Sequence, residues 1–161
     1  DRAPRRLSRY AAGAMASTLF EDLGGEPALR AIIDRFVDRV FDDVMIGFFF
    51  RDARRERVKA KEYEFAAKHL GAGNAYTGRP LDEAHRAHPI MGGQFARRLM
   101  ILKETLEAAN VPEHVKQHWL AHTERLRPLI TADVGRECDP DRARARVDSL
   151  PNAPMPRRKE P

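Results

Sequence analysis

The chain reads as all-α. Apolar residues recur at three- and four-residue steps in several separate stretches, and short breaks containing Gly, Pro or Asn divide them; nowhere do polar and apolar residues alternate with the two-residue period of a strand. With 161 residues, of which 42% are hydrophobic, the chain can bury one core and has no room for two substantial domains. One helical domain over residues 18–132 is expected, flanked by a basic extension at 1–17 and a Pro/Arg-rich tail at 133–161, both expected to be disordered.

Met15 to Phe20 reads as a start of folded structure, because Ser17 or Thr18 can cap a helix that opens with Leu19 and Phe20 and stops at Gly24 and Gly25. Residues 1–14 then form an upstream extension. Glu26 and Pro27 suit the first turn of the next helix, whose face is set by Leu29, Ile32, Ile33, Phe36, Val37, Val40 and Phe41, to about residue 42. Gly47 and the run Phe48, Phe49, Phe50 interrupt that period with adjacent aromatics, at least one of which should face a core or a ligand; Phe48 or Phe49 is expected in the core. Ala53 to Leu70 forms a second long helix, with Val58, Glu62, Phe65, Ala66 and His69 on one side and Arg54, Arg55, Lys59 and Glu64 largely on another. Residues 75–91 combine a turn at Gly78, Pro80, barely two helical turns and Pro89, a segment too short to support itself. Phe95, Leu99, Leu102, Leu106 and Ala109 mark a further helix, Asn110 to Pro112 a corner, and Val115, Trp119, His122, Leu126, Leu129 and Ile130 one last helix. The tail is punctuated by five prolines from Pro140 onward, with at most a transient helical turn around 141–149.

The net charge of +5 could point to nucleic acid, but the excess sits in the tails: Arg2, Arg5, Arg6 and Arg9 stand against Asp1, whereas the central segment is nearly balanced. Nucleic acid is therefore an unfavoured partner. No stretch approaches the roughly 18–20 apolar residues of a membrane span, and the first residues lack the apolar run of a signal peptide, so a soluble cytoplasmic protein is expected. Cys138 is the only cysteine, which leaves metal chemistry to the six histidines and the carboxylates.

Among these histidines, His85 lies on the short helix after Tyr76, Thr77 and Gly78, opposite a helix bearing aromatics, where an imidazole can serve as an axial metal ligand. His88 has the helical spacing of a second ligand, yet no third ligand stands nearby and Pro89 ends the helix; it is read as a solvated residue or a hydrogen-bond partner near the corner. His69, His114, His118 and His122 form no constellation visible in the sequence.

Leu23-Gly-Gly-Glu-Pro-Ala-Leu29, Phe49-Phe50 before the second long helix, Lys59-Ala-Lys-Glu-Tyr-Glu-Phe65, Gly71-Ala-Gly73 with Tyr76-Thr-Gly78, His85, Ile90 and Phe95 occur in an order and spacing that resembles the truncated haemoglobins, nearest to their first group. The resemblance covers about residues 18–131. It implies a globin-like, truncated two-over-two helical sandwich around haem b, with His85 as the proximal iron ligand. Phe50 and Phe65 then match haem-packing aromatics, and Tyr76, Leu81, Ile90 and Phe95 match the proximal pocket. Lys61 falls where the family often places a basic side chain near a haem propionate. Phe36, Val37, Val58 and Glu62 fall on the distal side. There the chain departs from the pattern: Val37 replaces a hydrogen-bonding tyrosine, and Glu62 stands where a glutamine is common, with Tyr63 as a substitute donor if the helix is rotated. Glu62 is the candidate acid–base group, or else it pairs outward with Lys59 or Arg55.

The resemblance implies reversible binding of O2 and other diatomic ligands, CO and NO among them, with nitric oxide, nitrite or peroxide turnover as candidate chemistry and a reductase as a candidate partner. The second reading is a helical interaction or nucleic-acid-binding module that keeps the fold without haem.

Overall fold

The computed structural model describes residues 17–133, and every regular element among them is helical. Helix α1, Leu19–Leu23, starts on Thr18: its hydroxyl accepts from the Glu21 backbone while the Glu21 carboxylate accepts from the Thr18 N–H at 2.9 Å, so two unpaired donors are satisfied reciprocally. Gly24, at φ 108°, ends it and turns the chain into α2, Gly25–Asp42.

Helix α2 is the spine of the molecule, and its buried face is Leu29, Ile32, Ile33, Phe36, Val37 and Val40. It packs on α3, Arg55–Leu70, and on α5, Gly92–Ala108, and α5 in turn packs on α6, Glu113–Arg125. Two helical pairs, α2 with α3 and α5 with α6, thus meet through the α2–α5 contact. Ala66, Ala67 and Leu70 come from α3, Ile101, Leu102 and Leu106 from α5, and Val115 and Trp119 from α6, which completes one core. Removing each of the larger aliphatic side chains from water contributes roughly 1.5–3 kcal/mol. Arg39 ties the two pairs at their edge, donating to the Thr105 hydroxyl at 3.1 Å and pairing with Glu104.

Helix α3 stops at Gly71, whose φ of 94° admits the 3.0 Å bond from the Ala72 N–H back to the Ala67 carbonyl. The loop that follows is clasped by Glu64: its carboxylate accepts from the Thr77 backbone and hydroxyl and from Lys61, which hold its pKa down to about 2. A Cβ at Gly78 would stand 2.1 Å from the Tyr76 hydroxyl, so a larger residue there would displace the Tyr76 ring.

The short helix α4, Leu81–His85, packs on α7, Arg127–Ile130. Sequence periodicity predicts a single last helix through Ile130; the structure divides it at Leu126. Pro128 has no N–H to continue the ladder, and its ring would crowd the Glu124 carbonyl. The division turns the chain back so that the Ala132 N–H reaches the Ile90 carbonyl at 2.8 Å, and the Asp133 carboxylate accepts from Gly92 at the start of α5 at 2.9 Å and 3.0 Å. The expected second long helix is confirmed from Arg55 onward, with residues 47–50 in a 3-10 turn before it. The possible helical turn around 141–149 and both tails fall outside the described residues, except Ser17 and Asp133 at their inner ends.

Candidate functional site: a cavity facing His85

A cavity of about 820 Å³ opens between α3 and α4 and is closed by residues of α2, α5, α6 and α7. That volume lies in the range of roughly 300–1,000 Å³ typical of sites that enclose an organic ligand. Val58, Lys61, Glu62 and Phe65 line it from α3, Leu81 and His85 from α4, Phe36 from α2, and Phe95 from α5; Phe50, Tyr76 and Ile90 complete the set read from the sequence.

His85 is the group with ligand chemistry. Its Nδ1 lies 2.7 Å from the Leu81 carbonyl one turn earlier. That oxygen can only accept, so Nδ1 carries the proton and Nε2 presents a lone pair. Burial lowers the pKa of the ring, which keeps it neutral near pH 7. A neutral imidazole whose second nitrogen is fixed by a backbone carbonyl is the arrangement of a metal-ligating histidine. The surrounding aromatics are also fixed: Phe50 stacks on Phe41 with centroids 4.9 Å apart, and Phe65 meets Tyr76 edge to face at 5.3 Å.

Several expected positions need correction. Val37 does not line the cavity; at 2% exposure it belongs to the core of α2, beside Phe36, which does reach the cavity. Tyr63 is no substitute donor, because its ring lies under the Arg30 guanidinium at 4.3 Å, on the outer side of α3. Glu62 pairs with neither Lys59 nor Arg55. Lys59 reaches Asp38 at 3.1 Å, and Arg55 bridges Asp38 and Asp42; Glu62 instead accepts from Arg98 of α5 at 2.6 Å. Phe48 is largely exposed rather than in the core, whereas Phe49 packs on it. His88 is exposed, with Phe49 edge-on to its ring, and no metal-holding group of three His, Cys, Asp or Glu occurs among the described residues.

Sequence reasoning missed two features of the wall. Arg98 is one, since a lone arginine on an amphipathic helix carries no signal of which way it faces. The other is a stack of imidazoles: His69 lies over His122 with centroids 4.3 Å apart and planes 10° from parallel, and His118 adds a third ring at 6.0 Å from His69. The four-residue spacing of His118 and His122 put those two on one face of α6; nothing local could bring in His69 from α3. His69 binds the Phe65 carbonyl through Nδ1, and the Nε2 atoms of His69 and His122 are buried without a hydrogen-bond partner. Burial, reinforced by the His122 charge, pushes His69 down to about 4.

These residues fit a haem. The slot offers aromatic and aliphatic walls, one imidazole with a free lone pair, and at its margin the Lys61 ammonium, held by Glu64 at 2.9 Å, in reach of an acidic substituent. The residues that would hold the group are His85 as iron ligand with Phe50, Phe65, Leu81 and Phe95 around it.

The comparisons agree with this geometry. A family model for the bacterial-like globins matches residues 18–132. The chain is similar to a group 1 truncated haemoglobin of Mycolicibacterium paratuberculosis, with 31% identity over 131 residues, 81% of this chain and 96% of that one. A second relative, from Synechocystis, is 35% identical over 101 residues, which are 60% of this chain and 82% of that protein. Among solved structures, the Fe(III) form of truncated haemoglobin from Tetrahymena pyriformis superposes with a TM-score of 0.66 and 27% identity, covering 71% of this chain and 98% of that one. The chain therefore belongs to the bacterial-like globins as a truncated haemoglobin, with group 1 proteins among its relatives.

Proposed function

We propose that the chain binds haem b through His85 and, by means of it, reversibly binds O2 and other small diatomic ligands such as CO and NO. The observation that carries the reading is the His85 imidazole: neutral, oriented by the Leu81 carbonyl and aimed into an apolar cavity. Bound haem, held by His85, would supply an iron able to take up a small diatomic ligand.

The chain's own residues do the rest. Leu81 fixes the ring of His85, so that its lone pair is presented without the cost of ordering the side chain on binding. Phe36, Phe50, Phe65 and Phe95 exclude water from the slot, and Lys61 is the residue we assign to a propionate. Glu62 and Arg98 form the polar part of the wall, the place where nitric oxide, nitrite or peroxide chemistry would find a charged partner. A reductase that returns the iron to its ferrous state is the protein partner this reading brings with it.

Purified chain supplied with haem is expected to develop a Soret band that shifts when the reduced protein meets carbon monoxide. A chain that stays colourless and refuses added haem would overturn the reading and favour an interaction module on the same fold.

A further inference from the structure

Arg98 stands in the wall of the cavity with its guanidinium tied on two sides. Nη2 donates to the Glu62 carboxylate at 2.6 Å, and Cζ lies 4.9 Å from the centroid of the Phe36 ring. A guanidinium is always charged and has five N–H donors in a fixed plane. Among the described residues Glu62 is its one hydrogen-bonding partner, so donors remain once that pair is made. Arg98 and Glu62 line the same cavity as His85, Arg98 from α5, Glu62 from α3 and His85 from α4. Of the positions read from the sequence on the distal side, Val37 has no donor to give and is sealed in the core, Tyr63 lies under Arg30, and Glu62 is itself the acceptor of Arg98.

We propose that Arg98 is the ligand-facing donor of this cavity, held in plane by Glu62 and Phe36, and that it makes the site select small anions over neutral ligands. This rests on the haem reading above. The physical reason is a difference between ligand classes. An anion that reaches the cavity gains a charge-assisted hydrogen bond from the guanidinium, whereas a neutral ligand without an acceptor of comparable charge gains little. Glu62 has two opposed effects: it fixes the orientation of Arg98, and its carboxylate competes with an incoming anion for the same donors. Phe36 preserves the plane through its face if the carboxylate is removed.

The test uses the full chain loaded with haem, in the ferric state at constant pH near 7, titrated by absorbance with azide as the anionic probe and imidazole as the neutral one. Arg98→Met is expected to weaken azide binding by about tenfold to a hundredfold while leaving imidazole binding unchanged, as loss of one charge-assisted hydrogen bond implies. Arg98→Lys should retain part of the azide affinity, and Glu62→Gln should tighten it, because the competing carboxylate is gone. In the reduced carbonmonoxy form, the C–O stretching frequency should rise in Arg98→Met, a readout of the lost positive field that does not depend on turnover. Azide affinity and C–O frequency unchanged in Arg98→Met would overturn the proposal while leaving the haem reading intact. If that variant does not fold, Arg98→Lys and Glu62→Gln decide in its place: azide affinity equal to that of the unmodified chain in both would overturn the proposal equally. An unmodified chain with no Soret band would instead overturn the haem reading, and this inference with it.

Discussion

His69 carries the clearest pH consequence at the scale of single residues. Its ring is buried against His122 and Trp119, and burial holds its pKa down to about 4, below the ordinary value of 6.5. The unfolded chain therefore binds a proton that the folded chain refuses between those two values, and stability falls as pH drops through that window and levels off below it. Each tenfold difference in proton affinity between the two states is worth about 1.4 kcal/mol, so the full effect is on the order of 3 kcal/mol. Thermal unfolding followed from pH 8 to pH 4 should show this decline, and His69→Leu should flatten much of it; His122, also lowered by burial, and the carboxylates held low by their partners contribute to what remains. A slope unchanged in His69→Leu would mean that other groups set the acid limit. None of this was legible in the sequence, because the ring that buries His69 comes from a helix about fifty residues later, and no periodicity on α3 announces a partner on α6. His85 was legible for the opposite reason: its neighbours Tyr76, Gly78, Leu81 and Ile90 lie within a short span, so the segment that positions it can be read in order.

The elements divide in the same way. Helices α1, α2, α3 and α5 follow from local signals, namely the Thr18 and Glu21 capping box, the Gly24 and Gly71 stops, and faces of apolar residues three and four positions apart. The division of the last helix at Leu126 was present as Pro128 but outweighed by an unbroken run of apolar positions. Its consequence is long-range: the chain after α7 returns to Ile90 and the start of α5, where Asp133 places its carboxylate at the Gly92 N–H. A carboxylate at the start of a helix satisfies unpaired donors and opposes the positive end of the helix dipole. Asp133→Ala is expected to cost about 0.5–2 kcal/mol, the usual range for loss of a helix cap, read as a lower midpoint in urea unfolding with an unchanged slope. A midpoint within error of the unmodified chain would show that the contact contributes nothing. The same bond ties Asp133, the first residue of the expected tail, to α5.

At the scale of the whole molecule, the two helical pairs leave an opening that their own side chains do not fill, and the lining residues all fall between Phe36 and Ile130. Among the described residues no helix is long and apolar enough to cross a membrane. A chain shortened to residues 17–133 is expected to keep the helical far-ultraviolet spectrum per residue of the domain and the haem affinity of the full chain. Loss of haem binding on removing either tail would assign that tail a part in the site.

Haem binding by this chain would depend most on one bond, that from His85 to the iron. The most direct test is an absorbance titration of the haem-free protein with haem for the unmodified chain, His85→Ala and His88→Ala, reading the ferric and reduced spectra of each. The expected result is that His88→Ala matches the unmodified chain, while His85→Ala binds haem far more weakly, loses the spectrum of a histidine-ligated iron, and remains helical but less stable because the short α4 segment has lost its anchor. A normal histidine-ligated spectrum in His85→Ala, together with its loss in His88→Ala, would contradict the assignment.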